Sequence, residues 1–336
     1  MELARQVLDW VAIPSVTGNE GDYGDAIARR CTALGLAVER QQLAPGRFNV
    51  LARGARPQVL VCTHLDTVPG EVAIRADREA IHGRGACDAK GPAAAMLAAV
   101  EKLLSEGEDR VGCLFTVGEE TDSAGATLAN ARLAEPWDPR FVIVGEPTDN
   151  RFVRAGKGIY KARLVAHGTA GHSSQSVGPS AVHELVSCAH RLLASQWGEH
   201  PVLGPGTLNI GTISGGSAAN VVAERAECEV LVRAVDDIAR IEERVERCLS
   251  PHVRVEKLHK GYGPIEFELP AGTEGITVAF GTDVPYMPRF GRPLLYGPGS
   301  ILDAHTDHEK VAVRSLLRAA AEYEKTLREL LARIEN

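Results

Sequence analysis

No two cysteines in this chain are spaced C-x-x-C, although there are seven of them: Cys31, Cys62, Cys87, Cys113, Cys188, Cys228 and Cys248. Their odd number and scatter, several inside apolar strand or helix patterns, point to buried, reduced thiols in a cytosolic protein. A disulfide framework and a catalytic cysteine are both disfavoured. No stretch approaches the roughly 20 apolar residues that a membrane helix needs. There is no basic excess either: the net charge is −7 over 336 residues, which offers nucleic acid no electrostatic footprint. The opening "MELARQVLDWVAIPSVTG" carries acids early and no basic lead into an apolar core, so we expect mature sequence and not a signal peptide. Internal repeats and low-complexity tracts are missing. What is present is an ordinary globular composition, 44% hydrophobic and 24% charged, in a chain long enough for more than one domain.

In the first half, strand-like and helix-like segments alternate. A short amphipathic helix runs through Trp10 and stops near Pro14; another runs from about Asp22 to Leu34, with Gly35 as its stop. "FNVLARG", "PQVLVCTHLDTVP", "VGCLFTVG" and "RFVIVGEP" read as strands, with helices at "GPAAAMLAAVEKLLSEG" and around "ATLANARLA". Strands that are almost continuously apolar belong in a sheet covered on both faces, hence an α/β layer. After "KGIYKARLVAHG" the order becomes β-α-β-β-α-β and the strands alternate more clearly, as in a ferredoxin-like unit. From about Gly263 short strands return, followed by a closing helix "VRSLLRAAAEYEKTLRELLARI". The expected architecture is a catalytic domain (1–156 and 264–336) with a central mixed sheet between helices, into which a βαββαβ domain (157–263) is inserted.

Polar residues gather where the apolar runs of the first domain stop. "VCTHLDTVP" ends a strand with His64 and Asp66, which share a face because they are two apart on extended chain. One can bind a metal while the other accepts the free ring N–H. "GRGACDAKGP" carries Asp88 just before a helix, "GEE" supplies Glu119 and Glu120, "VGEPT" supplies Glu146, and far along the chain "GPGSILDAHTDHE" supplies His305. Open α/β sheets collect ligands in the crevice beyond their strand ends. Two histidines with three or four carboxylates form a mixed nitrogen and oxygen set that suits zinc, or a zinc pair sharing one carboxylate. Adjacent glutamates on a tight turn diverge, so one can ligate while the other serves as a general base. Each residue alone has a plainer reading: His64 as a hydrogen-bonded strand-end histidine, Asp88 as a helix cap, Glu119 and Glu120 as solvated loop acids, Glu146 as a turn residue, and His308 in place of His305. Repetition at successive strand ends favours a shared site. The G-x-G in "GRGACDAKG" lacks its third glycine, where Asp88 stands, so nucleotide binding is not expected.

Taken in order, "THLDTVP", "GRGACDAKGP", "GEE", "GEPT", "GTAGHSS" and "GPGSILDAHTDHE" resemble the zinc-dependent family of acetylornithine deacetylase, succinyl-diaminopimelate desuccinylase and glutamate carboxypeptidase. The resemblance runs from about residue 8 to 320. It implies one zinc on His64, Asp88 and Glu146 and a second on Asp88, Glu120 and His305, with Asp88 bridging and cobalt an acceptable substitute. Glu119 matches the general base, Asp66 the residue that orients His64, and the Asp88–Ala89 peptide would be cis. The inserted domain matches the family's lid and dimerisation domain, making a homodimer the expected state. His172 matches a histidine that stabilises the oxyanion in the partner subunit's site, while Asn220 and Arg233 match lid residues that contact substrate. Without the match, His172 reads as a loop residue and Arg233 as a strand arginine in a salt bridge.

A glutamate at the position of Glu146 goes mostly with the family's deacylases, and "GPGSILDAHT" looks closest to acetylornithine deacetylase. The resemblance therefore implies removal of an N-acetyl group from an amino acid of the ornithine, lysine or citrulline type, in the cytoplasm, as part of amino-acid biosynthesis. Release of lysine or ornithine from an amino-group carrier protein is the main rival, followed by succinyl-diaminopimelate desuccinylation and dipeptide hydrolysis. A catalytically silent binding or scaffold relative would be expected to have lost a ligand or the base, and all six residues are present.

Overall fold

The structure is a computed structural model that describes residues 2–175, 177–258 and 260–335. The chain divides into two compact units. The first comprises the residues up to Arg154, Phe267–Ile276, and everything from Thr282 onward; the second comprises Ala155–Glu266 and Thr277–Gly281.

A mixed sheet forms the centre of the first unit. Most of its strands run in the spatial order Ala37–Ala44, Arg47–Arg53, Val111–Thr116, Val59–His64, Phe141–Val144, Arg292–Leu295 and Val153–Gly156. Val59–His64 pairs in parallel with both Val111–Thr116 and Phe141–Val144, and Arg292–Leu295 joins Phe141–Val144 in parallel as well. Every residue of Val59–His64, Val111–Thr116 and Phe141–Val144 is buried, which is why these strands are continuous in apolar residues and show no alternation. Parallel neighbours end on the same side of a sheet. His64, the turn after Thr116 and the turn after Val144 therefore emerge together.

Helices cover this sheet. Gly91–Ser105 is apolar around most of its circumference and packs against the closing helix Val313–Glu335 and the strand Val59–His64. Gly21–Ala33 packs on Arg47–Arg53; it ends as the sequence suggests, with Gly35 at a φ of +82° beyond the last turn. The buried Lys90 finishes the first helix, Glu2–Val11. Its ammonium donates to the carbonyls of Trp10 (3.3 Å) and Ile13 (2.6 Å) and lies 4.7 Å from the centre of the Tyr23 ring, while burial lowers its pKa to about 7.

The second unit is a four-stranded antiparallel sheet in the order Thr207–Gly215, Arg225–Ala234, Gly158–His167, Val253–Lys257. With helices Ala181–Ala194 and Ile238–Arg247 it follows the β-α-β-β-α-β sequence, and its first strand sits between the third and fourth, the ferredoxin-like arrangement. Arg225–Ala234 alternates buried and half-buried residues along most of its length, so one face meets the core formed with Leu185, Cys188, Leu192, Ile241 and Val245. Thr207–Gly215 is one of the two edge strands and is largely exposed. Among the described residues no helix is long and apolar enough to cross a membrane. All seven cysteines are buried and unpaired, consistent with free thiols.

Candidate metal centre

His64 closes its strand with the ring buried. Its Nε2 lies 2.9 Å from Oδ1 of Asp88, and its Nδ1 lies 2.9 Å from the backbone carbonyl of Asp66 but 3.7 Å from the Asp66 carboxylate. The main chain of Asp66 therefore makes the closer contact to the ring, whereas the sequence suggested its side chain.

That carboxylate is committed elsewhere. Oδ1 accepts the backbone N–H groups of Gly118 (3.0 Å) and Glu119 (3.1 Å), and Oδ2 accepts those of Glu120 (3.1 Å) and the Thr17 hydroxyl (2.8 Å). Burial would raise the Asp66 pKa, but His64 and these donors outweigh it and lower the pKa overall. The Glu119–Glu120 turn starts at Gly118, whose φ of +83° suits glycine, and Asn49 brackets it by accepting from Val117 N–H and donating to the Gly125 carbonyl. Two buried polar side chains, Asp66 and Asn49, thus define where the paired glutamates sit, with the half-buried Thr17 holding Asp66.

Asp88 lies in an irregular turn, Ala86–Lys90, and the Asp88–Ala89 peptide is cis. Its second oxygen, Oδ2, is 3.2 Å from Nε2 of His305, so one carboxylate stands between two imidazoles. His305 also meets Glu120 at 3.0 Å, and it does so from a left-handed backbone (φ +62°) in the loop after Arg292–Leu295. His308, the competing histidine, is exposed and bonds to Asp307 instead. Glu146 is buried at the end of Phe141–Val144, where the charges of His64, Asp88 and Glu120 act on it.

The electrostatics describe a pocket with surplus negative charge. Burial pulls the His64 imidazole down, yet Asp66 and Asp88 raise it well above its ordinary value. Asp88 and Glu120 push His305 up to about 10. Burial, followed by the Glu146 charge, holds Glu119 well above the usual carboxylate range. Burial does the same to Glu146. Donor atoms of His64, Asp88 and Glu120 all lie within 4.8 Å of one another, close enough to share one cation. Imidazole nitrogens with carboxylate oxygens are the donor chemistry of zinc and similar divalent ions, so these residues fit a metal.

The other residues singled out in the sequence, His172, Asn220 and Arg233, lie in the second unit. A short ladder pairs His172 with Val221, and Ser173 N–H donates to the Asn220 carbonyl, so His172 and Asn220 are neighbours. Ser174 donates its backbone N–H to Nδ1 of His172 at 3.2 Å, with its hydroxyl 2.8 Å from the same nitrogen. Nδ1 therefore holds a lone pair, which places the ring proton on Nε2 in the neutral form. Arg233 stands apart from this pair on Arg225–Ala234. It is half-buried, burial lowers its pKa, and it has no ion-pair partner among the described residues.

Sequence reading missed Thr17, Arg84, Asp283 and Glu309. Glu309 lies inside the quoted "HTDHE", where an acid four residues beyond a candidate ligand was the available signal. Asp283 is buried, accepts the Thr116 hydroxyl at 2.6 Å on Oδ2, and leaves Oδ1 without a hydrogen bond.

The family model described as Peptidase family M20/M25/M40 matches residues 60–329. A peptidase M20 domain-containing protein of Schizosaccharomyces pombe is 34% identical over 330 residues, covering 94% of this chain and 81% of the relative. A probable carboxypeptidase of Aspergillus oryzae is 35% identical over 368 residues, covering 94% and 87%. In fold, the chain is similar to a tripeptidase from Staphylococcus aureus, with a TM-score of 0.77, 23% identity and 96% of each chain covered. The chain belongs to the M20/M25/M40 peptidase family, whose members are metal-using hydrolases of amide bonds.

Proposed function

We propose that this hydrolase cleaves the amide on the α-nitrogen of an amino acid whose α-carboxylate is free, with acetyl as the acyl group and an ornithine-, lysine- or citrulline-type amino acid as the leaving group. The observation that carries the reading is the Asp88 carboxylate between His64 and His305, with Glu120 on His305 and Glu119 on the next residue.

Zinc ions held by His64, Asp88 and Glu146 and by Asp88, Glu120 and His305 would lower the pKa of a water and polarise the amide carbonyl. Glu119, as its carboxylate, takes the water proton and returns it to the leaving amine; burial, which raises its pKa, suits it to holding that proton in between. His172, with its proton on Nε2, donates to the developing oxyanion. Arg233 clasps the α-carboxylate with two parallel hydrogen bonds, which suits its lack of an ionic partner, and Asn220 contacts the substrate beside His172. The second unit is the lid in this reading. Its exposed edge strand, Thr207–Gly215, is the surface on which a second copy would pair to form a homodimer.

Hydrolysis of the C-terminal residue of a short peptide is the second reading, favoured by the carboxypeptidase names of relatives at about one-third identity. Both reactions cleave the same bond and leave the same carboxylate for Arg233; they differ in the acyl side. Amine release by the zinc-reconstituted protein should be measured with N-acetyl-L-ornithine, N-acetyl-L-lysine and a panel of di- and tripeptides, with chelator and Glu119→Gln as controls. Preference for the acetylated amino acids supports the first reading. Preference for peptides, abolished by both controls, replaces it with the second, and no hydrolysis of either class overturns both.

A further inference from the structure

Glu309 is fully buried, and both of its carboxylate oxygens are engaged. Oε2 takes the Arg84 guanidinium at 2.7 Å, while Oε1 accepts the backbone N–H groups of Cys87 (3.2 Å) and Asp88 (3.3 Å). Arg84 is itself tied down, donating from Nε to the Gly70 carbonyl, and the Glu309 carbonyl accepts Gly83 N–H just ahead of the Asp88 turn. A buried carboxylate needs this many partners to be tolerated. Two of those partners are consecutive amides of the turn that carries Asp88. Two N–H groups converging on one oxygen set the direction of the peptide planes, and thereby the direction in which the Asp88 side chain leaves the backbone. That direction matters here because each Asp88 oxygen already faces a different imidazole, so a small rotation disturbs both contacts.

We propose that Glu309, anchored by Arg84, is the positioning residue of the Asp88 turn, holding the carboxylate in place for both metal positions before any metal arrives. The proposal rests on the metal reading of this site and concerns a residue that touches neither metal nor substrate. It makes the acceptor at the Cys87 and Asp88 amides the working part, with the ion pair serving to hold that acceptor in a buried place.

Two full-length double variants separate acceptor from charge. Glu309→Gln/Arg84→Met keeps an amide oxygen for the two N–H groups and buries no charge. Glu309→Leu/Arg84→Met removes the acceptor as well. Zinc affinity, measured by competition with a chromophoric chelator, should stay within about threefold of wild type in the first and fall about 10–100-fold in the second, the range for residues that orient metal ligands. The visible spectrum of bound cobalt should follow the same order. Equal affinities and identical cobalt spectra in the two folded variants overturn the proposal. Should either variant fail to fold, hydrogen exchange of wild type decides: the Cys87 and Asp88 amides should be protected in the metal-free protein, and free exchange there overturns it. A wild-type chain that binds no zinc sinks the metal reading itself, a different outcome from wild-type binding that is matched by both variants.

Discussion

Nε2 of His305 lies 3.0 Å from Oε1 of Glu120, across 185 residues of chain. The turn after Val111–Thr116 and the loop after Arg292–Leu295 meet there because both strands belong to one sheet. Removing the imidazole should therefore damage one half of the centre. His305→Ala is expected to lower zinc stoichiometry by about one per chain while leaving a site at His64, Asp88 and Glu146. Elemental analysis of the purified variant after zinc loading checks this; full wild-type stoichiometry contradicts it.

Asp66 predicts a different pattern. Its carboxylate holds the amides of Gly118, Glu119 and Glu120, so Asp66→Ala releases the turn that aims Glu119, the proposed general base. Turnover should fall about 10–100-fold with little change in KM, as for residues that orient a site. Thr17→Val removes only one neutral donor to Asp66 and should cost about 1 kcal/mol of stability with a smaller loss of turnover. Steady-state kinetics with denaturant titration separates the two. A large rise in KM alone for Asp66→Ala counts against the assignment.

His172 has its proton placed by Ser174. Loss of the ring in His172→Ala should cost about 10²–10³ in kcat, the usual effect of removing an oxyanion donor, with zinc content unchanged. Ser174→Ala keeps the backbone N–H on Nδ1 and should retain most of the activity. Unchanged kcat in His172→Ala would remove the residue from the mechanism.

Asp283 titrates late. Burial raises its carboxyl to about 6 from an ordinary value of 3.8. The folded state thus holds this proton more tightly than the unfolded one, and the stability that the protonated form contributes is lost as pH rises from about 4 through about 6. Asp283→Asn keeps an acceptor for the Thr116 hydroxyl without the charge. In the metal-free protein it should stabilise by about 1–3 kcal/mol at pH 7–8 and progressively less toward pH 5. Urea denaturation at several pH values tests this, and a pH-independent effect would show that the charge is not the cause.

Much of the centre was legible because strand ends announce themselves. An apolar run that stops at a His or Glu, as at His64 and Glu146, marks both an element boundary and a side chain delivered to the sheet's edge. The β-α-β-β-α-β order was equally open to reading, since alternation of apolar residues changes when one sheet face is exposed. The supports were not legible. Nothing in "HLD" reveals that the Asp66 carboxylate bonds three amides 52 to 54 residues away, because such contacts depend on how two loops meet and leave no periodic trace. The same holds for Glu309 and Arg84, separated by 225 residues. The strand Arg292–Leu295 was hidden for another reason: its four residues sit among prolines and glycines, too short for a pattern to emerge.

That strand has a consequence for how the molecule is made. It fills a place between Phe141–Val144 and Val153–Gly156, two strands translated well before it. Synthesis at about 5–20 residues per second leaves several seconds between the emergence of Val153 and that of Leu295. During that interval the nascent sheet carries an unfilled slot, and His305 has not yet been translated. The ferredoxin-like unit, whose four strands and two helices are complete by Lys257, can fold first, so on the ribosome the inserted unit would precede the one that hosts it.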